Sequence, residues 1–350
     1  MPSYDGEHDP APKSAGRDAA HEDLAYLIDI GAPEDRFRAD VLNGLSEPQP
    51  FIPPKYFYDA FGAEAFERIC ETPEYYPTRS ESALLHAAAP DIAALAGPHA
   101  NLYEPGSGAA EKARILLTAF DRPAEYTLFD IAEDQLRNVA ASLNQDFPSL
   151  RIGAVIGDFT RTLEPTADMF GGDGKRVCFF PGSTLGNFDP EAALGLLKTF
   201  KGVLRPGDAL LLGVDLAKDS ARLDAAYNDA QGWTAAFNLN LLHRLKNDLG
   251  AKIRISDFDH YAFFSPRDSR IEMHLTARRA TSIELNERVF NFARGQTIHT
   301  ENSWKFTPKR LADLVAAAGY ELTQSWGGSD APTTDKTQRS DMLLAWCEVQ

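Results

Sequence analysis

The feature that most narrows the fold is the run NLYEPGSGAAEKARILLTAF at residues 101–120, an apolar strand that turns through Gly-Ser-Gly straight into an amphipathic helix. Glycines at such a turn let backbone N–H groups approach a ligand that a Cβ would block. Strands and helices go on alternating after it. EYTLFD reads as a second strand, a helix follows near AEDQLRNVAASLNQ, and RIGAVIGDF and VCFF read as the third and fourth strands. A helix from Pro190 to Leu204 then leads to the strand ALLLGVDL. Short apolar runs separated by amphipathic helices predict an α/β chain with a mostly parallel, doubly wound sheet covered on both faces.

The carboxyl ends of these strands carry an ordered series. Glu104, Gly106 and Gly108 mark the first turn, and Asp130 closes the second strand, where a carboxylate can accept from two ribose hydroxyls. Gly157, Asp158 and Phe159 close the third, where an acid can accept from an adenine amino group and a ring can stack on the base. Each residue taken singly is more often a strand-end cap than a ligand contact, but three in order meet in one crevice of such a sheet. This E-x-G-x-G, D, GDF series resembles the S-adenosylmethionine-dependent methyltransferases, and RPGDALLLGVD resembles their fifth strand. The resemblance implies a Rossmann-like methyltransferase sheet, with S-adenosylmethionine as cofactor and S-adenosylhomocysteine as product. A nicotinamide dehydrogenase is the alternative, but Lys112 and its neighbours stand where the third glycine of GxGxxG would be.

The flanks set the domain plan. Leu24 to Leu45 has helical spacing, FIPPKYFYDAFG breaks it with two prolines, and helical pattern resumes at Gly62 and through SALLHAAAPDIAALAG. After Asp219 the rhythm changes: SARLDAAYNDAQGWTAAFNLNLLHRLKNDL reads as one long helical stretch, and HYAFF and RIEMHLTARR alternate as antiparallel strands. From Phe306 the α/β rhythm returns with the helix TPKRLADLVAAAG and the strands YELTQSW and MLLAWCEV. The plan predicted is a mobile polar tail over 1–22, a methyltransferase domain over 23–217 plus 306–350, and an inserted α+β substrate-binding lobe over 218–305, with part of 80–98 a further candidate for the lobe.

Composition excludes several partners. At 350 residues with 43% hydrophobic content, the chain can bury a large core or two modest ones. A net charge of −16 argues against nucleic acid, which needs clustered Lys and Arg. No stretch approaches the roughly 18 to 20 apolar residues of a membrane span, and the N-terminus lacks a basic segment followed by an apolar one. Cys70, Cys178 and Cys347 form no CxxC pair, so a reducing cytoplasm is the expected home. The 8 histidines show no HxH or HxxxH spacing, and no metal is expected. A monomer acting on a small molecule is the simplest reading.

Longer motifs point to one family: PPKYFYDAFG, PEYYPTRSE, EPGSGAAEKAR, PGSTLGNF, LAKDSARLDAAYNDAQGWTAAFN, RIEMHL and TENSWKF. Together they resemble the histidine Nα-methyltransferases of ergothioneine biosynthesis, which make the trimethylated betaine hercynine, and the likeness runs from about Ala39 to the C-terminus. The resemblance implies that Gly182, Ser183 and Thr184 lie beside the cofactor with Lys112 near its carboxylate end. It implies that Asn187, Tyr75 and Tyr227 hold the substrate carboxylate, with Asn187 also near the amine. Tyr58 would lie near the imidazole side, Phe237 over the methyl-transfer centre, and Met273, Glu301 and Ser303 against the imidazole ring. On their own, Asn187 can equally cap the helix at Pro190, Met273 alternates with Ile271 and Leu275 as a core residue would, and Glu301 can be a solvated acid. Methylation of tryptophan or tyrosine, or a non-catalytic betaine-binding regulator, are the competing readings.

Overall fold

In the computed structural model, residues 24–31, 36–161, 166, 169–328 and 340–350 are described; the expected tail over 1–22 lies outside them. Among them the parallel strands are β1 (Tyr26–Asp29), β2 (Asn101–Pro105), β3 (Glu125–Asp130), β4 (Arg151–Ile156), β5 (Arg176–Phe180) and β6 (Ala209–Asp215). The antiparallel lobe strands are β7 (Phe258–Ser265), β8 (Arg270–Ala277), β9 (Thr281–Leu285), β10 (Arg288–Phe292) and β11 (Thr297–Trp304), and the chain returns to the main sheet with β12 (Tyr320–Gly327) and β13 (Met342–Val349). The main sheet runs β1-β4-β3-β2-β5-β6-β13-β12, parallel as far as β6 and antiparallel beyond it. This is the mostly parallel, doubly wound sheet that the β/α alternation predicts.

The helices are α1 (Phe37–Gly44), α2 (Ala60–Glu71), α3 (Pro77–Ala96), α4 (Glu111–Ala119), α5 (Glu133–Asp146), α6 (Pro190–Lys201), α7 (Ser220–Ala226), α8 (Trp233–Asn247) and α9 (Pro308–Ala317). Every residue of β2 and β6 is buried, as apolar strands covered on both faces must be. Neighbours point into opposite layers: Leu102 packs with Leu85, Leu116 and Leu136 from α3, α4 and α5, and Tyr103 packs with Leu197 of α6 and Leu311 of α9.

The lobe has its own core. Strands β11-β8-β7 form an antiparallel sheet beside the β10-β9 hairpin, and Leu241, Leu245, Ile271, Met273, Leu275 and Ile298 pack together inside it. Phe37, Val41, Ile52, Phe57, Ala65 and Ile69 belong to the same core. Segment 37–76, expected in the sheet domain, therefore packs with the lobe, so the boundary at 218 does not describe how the lobe is built. Asp59 shows the join, capping α2 at the Gly62 N–H (2.8 Å) while accepting from Asn240 of α8 (2.8 Å).

Two helical expectations are corrected. The segment from Leu24 forms β1, and helix begins only at Phe37. Tyr26 explains the strand: it packs where a Cβ on Gly153 would stand 2.0 Å from its ring, and its hydroxyl donates to Glu125 at 2.7 Å. The long helical stretch after Asp219 is broken between α7 and α8, where Gly232 takes a positive φ of 78° and the Asp229 carboxylate accepts from the N–H groups of Trp233 (2.9 Å) and Thr234 (2.8 Å). Tyr227 thus sits just past the end of α7 rather than on a helix.

A bulge in the lobe sheet matters most for the site. His299 pairs with His274, but Glu301 pairs with Met273 and Ser303 with Ile271, so Thr300 is the extra residue. That insertion puts Glu301 and Ser303 on the face of Met273 and Ile271, which looks into the lobe core.

Candidate active site

Strand order reverses at β2, which lies between β3 and β5, and the carboxyl ends of these strands open a crevice there. Gly106 and Gly108 both have positive φ, 71° and 50°. Gly106 donates to the Phe129 carbonyl at 2.7 Å and Gly108 to the Asp130 carboxylate at 3.1 Å. A Cβ on Gly106 would stand 3.3 Å from the Phe159 ring, so the ring lies against the turn. Asp158, half-buried at the end of β4, accepts from the Thr160 N–H (2.9 Å) and hydroxyl (2.6 Å). Ser107 Oγ inside the turn is buried without a hydrogen-bond partner among the described residues, and a polar ligand group would satisfy it. An open left-handed turn, an acid at each of the next two strand ends and an orphaned hydroxyl fit a nucleoside-bearing cofactor.

After β5, the Gly182 N–H is shared between both oxygens of Glu81, at 2.8 and 2.9 Å, and the Lys112 ammonium pairs with the same carboxylate. Ser183 Oγ accepts from the Asp215 N–H at 2.9 Å, and the Thr184 hydroxyl donates to the Pro181 carbonyl at 2.9 Å. The Glu104 carboxyl is buried and accepts from the Tyr126 hydroxyl, and burial raises it to about 8, which favours its neutral form at pH 7.

The lobe presents an aromatic group to one acid. Phe57 stacks on Phe237 with centroids 4.3 Å apart, Tyr58 meets Phe237 edge-on at 5.6 Å, and Tyr75 meets Tyr227 edge-on at 6.2 Å. Tyr58 keeps 48% of its surface accessible, and burial of its phenol and then the Glu301 charge push the hydroxyl up. Burial likewise raises Tyr75 and Tyr227, with Glu301 contributing to both. Glu301 itself is lifted to about 7 by burial, against the pull of Lys305, and its carboxylate makes no hydrogen bond among the described residues.

Beside it lies a network of buried charges. The Tyr227 hydroxyl donates to Ser303 Oγ at 2.8 Å. Lys305 donates to Ser303 (2.9 Å), to Tyr227 (3.1 Å) and to Asp215 (2.8 Å). Asp215 also accepts from the Tyr76 hydroxyl at 2.9 and 2.8 Å and pairs with Lys218. Burial alone would raise the Asp215 carboxyl, but Lys305 and Lys218 hold it below the usual range. Because Asp215 also donates to Ser183, contacts run unbroken from the loop after β5 to Ser303. The turn Thr184–Asn187 closes the gap from another side, since a Cβ on Gly186 would meet the Trp304 carbonyl at 2.8 Å. Asn187 is not the cap of α6, a place taken by Asp189, and its side chain has no hydrogen-bond partner among the described residues.

Lys305, Asp215, Tyr76, Lys218 and Glu81 were not singled out by sequence. Lys305 carries a signal in hindsight, continuing the alternation Glu301, Ser303, Lys305. The absence of metal-ligand spacing also hides one group: Glu272, His274 and His299 offer ligand atoms within 4.8 Å of one another on the outer face of the lobe sheet. Arg270 pairs with Glu272 at 2.7 Å and His299 bonds the Glu301 carbonyl at 3.0 Å, so the trio also reads as a brace for the bulge.

Residues 37–336 match the family model described as histidine-specific methyltransferase, SAM-dependent. The chain belongs to this family. It is 39% identical over 309 residues to a histidine N-alpha-methyltransferase of Mycolicibacterium smegmatis, covering 87% of this chain and 94% of that protein. A protein of the same name from Mycobacterium tuberculosis is 37% identical over 294 residues, covering 83% and 90%. Ergothioneine biosynthesis protein 1 of Neurospora crassa is 28% identical over 293 residues, 79% of this chain but 32% of that longer protein. Among the described residues, no helix is long and apolar enough to cross a membrane.

Proposed function

We propose that this chain transfers methyl groups from S-adenosylmethionine to the α-amino nitrogen of L-histidine, repeatedly to the betaine hercynine, as a step of ergothioneine biosynthesis. The observation that carries the substrate reading is Glu301, a desolvated carboxylate turned inward by a bulge and left without a donor among the described residues. An imidazole N–H fits it, and an amino acid without such a donor would leave it unpaired.

Gly106, Gly108, Asp130, Asp158, Phe159, Gly182, Ser183 and Thr184 would hold the cofactor, with Lys112, steadied by Glu81, at its carboxylate end. The cofactor supplies an activated methyl group, so alignment and exclusion of water are the protein's share of catalysis. Asn187 and Tyr75 would anchor the substrate carboxylate, Met273 and Ser303 would flank the ring, and Tyr58 with Phe237 would position the nitrogen. An α-ammonium cannot attack. Its proton must leave first, and a neutral Tyr58 oxygen can accept a hydrogen bond from the amine once it has. Aromatic faces at Phe237 and Tyr58 tolerate the growing cation as N–H groups are replaced by methyls. Anchoring at the carboxylate and ring survives each round, because neither is altered by it.

The test is incubation with S-adenosylmethionine and each free amino acid in turn, with products read by mass spectrometry. Mono-, di- and trimethylated histidine are expected; methylation of tryptophan or tyrosine in preference to histidine would overturn the reading.

A further inference from the structure

Lys305 is almost wholly enclosed, with 1% of its surface accessible, and it reaches Ser303 beside the ring site. Resting on histidine as the substrate, we propose that Lys305 is a positioning residue that fixes the Ser303 hydroxyl as a donor, so that the pocket reads a single tautomer of neutral imidazole.

An ammonium has three protons and no lone pair. Lys305 directs its protons to Asp215 Oδ2 at 2.8 Å, Ser303 Oγ at 2.9 Å and the Tyr227 oxygen at 3.1 Å. Ser303 Oγ also receives the Tyr227 proton at 2.8 Å, which fills both lone pairs of the serine. One group remains unassigned, the Ser303 O–H, which has no acceptor among the described residues. The reverse arrangement would make the phenol oxygen accept twice and leave the more acidic proton idle, so a phenol donating to a serine is the favoured sense. Ser303 is 3% accessible, and a buried O–H without an acceptor is unfavourable.

Two residues away on the same face, Glu301 has the opposite need, an acceptor without a donor. The pair offers one acceptor and one donor, the complement of a ring with one N–H and one bare nitrogen. An imidazolium would bring two N–H groups and set one against the Ser303 proton. Indole has an N–H but no bare nitrogen. Asp215 makes the arrangement stiff, since it anchors Lys305 and is itself tied to Tyr76 and Lys218.

The decisive measurement is the nitrogen NMR spectrum of ring-15N histidine bound to the full-length protein with S-adenosylhomocysteine. At pH 8, where the Glu301 carboxyl is ionised, one N–H-type and one bare-nitrogen-type signal are expected; two N–H-type signals, or signals averaged between tautomers, would overturn the proposal. A second arm assigns the effect to Lys305. The variant Lys305→Met leaves Asp215 paired with Lys218, and the double variant Lys305→Met, Asp215→Asn serves the same purpose if the single one does not fold. In either, the preference for histidine over pyrrolylalanine, which keeps the N–H but lacks the bare nitrogen, should narrow by roughly tenfold or more. An unchanged preference in a variant that still binds S-adenosylmethionine would overturn the role of Lys305, since loosened packing alone would lower both substrates together. Failure of the wild type to methylate histidine removes the substrate reading and this inference with it; full activity with two N–H-type signals removes this inference alone.

Discussion

The crevice at the end of the parallel sheet and the pocket of the lobe both present carboxylates, and they keep them in opposite states. Asp130 and Asp158 are half-buried at strand ends and already take hydrogen bonds from Gly108, Ile131 and Thr160. Glu301 is desolvated, lifted to about 7 and without a donor of its own among the described residues. The first kind of site is made by topology: strand ends and backbone N–H groups converge wherever such a sheet reverses its order. In the second, the folded chain carries an unsatisfied group that a matching ligand completes, and this is how a pocket rejects near neighbours strongly.

The sharpest way to break this contrast is Glu301→Ala. Loss of the bare acceptor should lower kcat/KM for histidine by roughly 10²- to 10³-fold. Affinity for S-adenosylmethionine, measured by calorimetry, should stay within about threefold, because the Glu301 carboxylate makes no hydrogen bond to the chain of contacts through Ser183, Asp215 and Lys305. A comparable loss in both would mean the two regions are one coupled site.

A stability measurement sharpens the same point without substrate. The Glu301 carboxyl titrates near 7 in the folded chain against an ordinary 4.5, so the folded state holds its proton more tightly than the unfolded state does. Its contribution favours folding below about pH 4.5 and is lost as pH rises through 7, a swing of at most about 3 kcal/mol. Urea unfolding at pH 5 and pH 8 should therefore show wild type losing ground to Glu301→Gln as pH rises. A constant gap between the two proteins would mean that Glu301 is solvated and that the contrast with Asp130 is false.

The same division governs what could be read from sequence. The sheet was legible because its signals are local: apolar runs at strand length, glycines at the turn, an acid closing each of the next two strands. The site in the lobe was legible only in part, through motif resemblance that singled out Glu301 and Ser303. Their shared inward direction depends on the extra residue Thr300, and one inserted residue reverses every side chain after it without changing composition. Buried Lys305 was missed for a related reason. A lysine is ordinarily a surface residue, and nothing near it in sequence announces Asp215, its partner from β6. Tyr26 shows the converse error, since helical spacing over residues 24–45 gave no hint that Gly153 leaves room for its ring.

On the cofactor side, Asp130→Ala should weaken S-adenosylmethionine binding by roughly 10- to 100-fold. Two contacts fail together there, the carboxylate proposed for the ribose and the brace on the Gly108 N–H. Asp130→Asn separates them: its amide oxygen can still accept from Gly108, so most of the turn is retained and the loss should be smaller. Equal losses in both variants would assign the effect to charge rather than to the shape of the turn.

Asp158→Ala should have the smallest effect, about 3- to 10-fold in cofactor affinity. Its carboxylate is partly solvated and already accepts from the Thr160 N–H and hydroxyl, so a ligand gains only the difference between one more contact and the water it displaces. The ratio of this loss to that of Glu301→Ala measures the contrast directly. A site of satisfied groups yields shallow losses, and one of bare groups yields steep ones. If Asp158→Ala instead matched Glu301→Ala in its effect on kcat/KM at saturating methyl donor, the strand end would itself be reporting on the substrate, and the crevice and the pocket would have to share more than the chain of contacts through Ser183, Asp215 and Lys305.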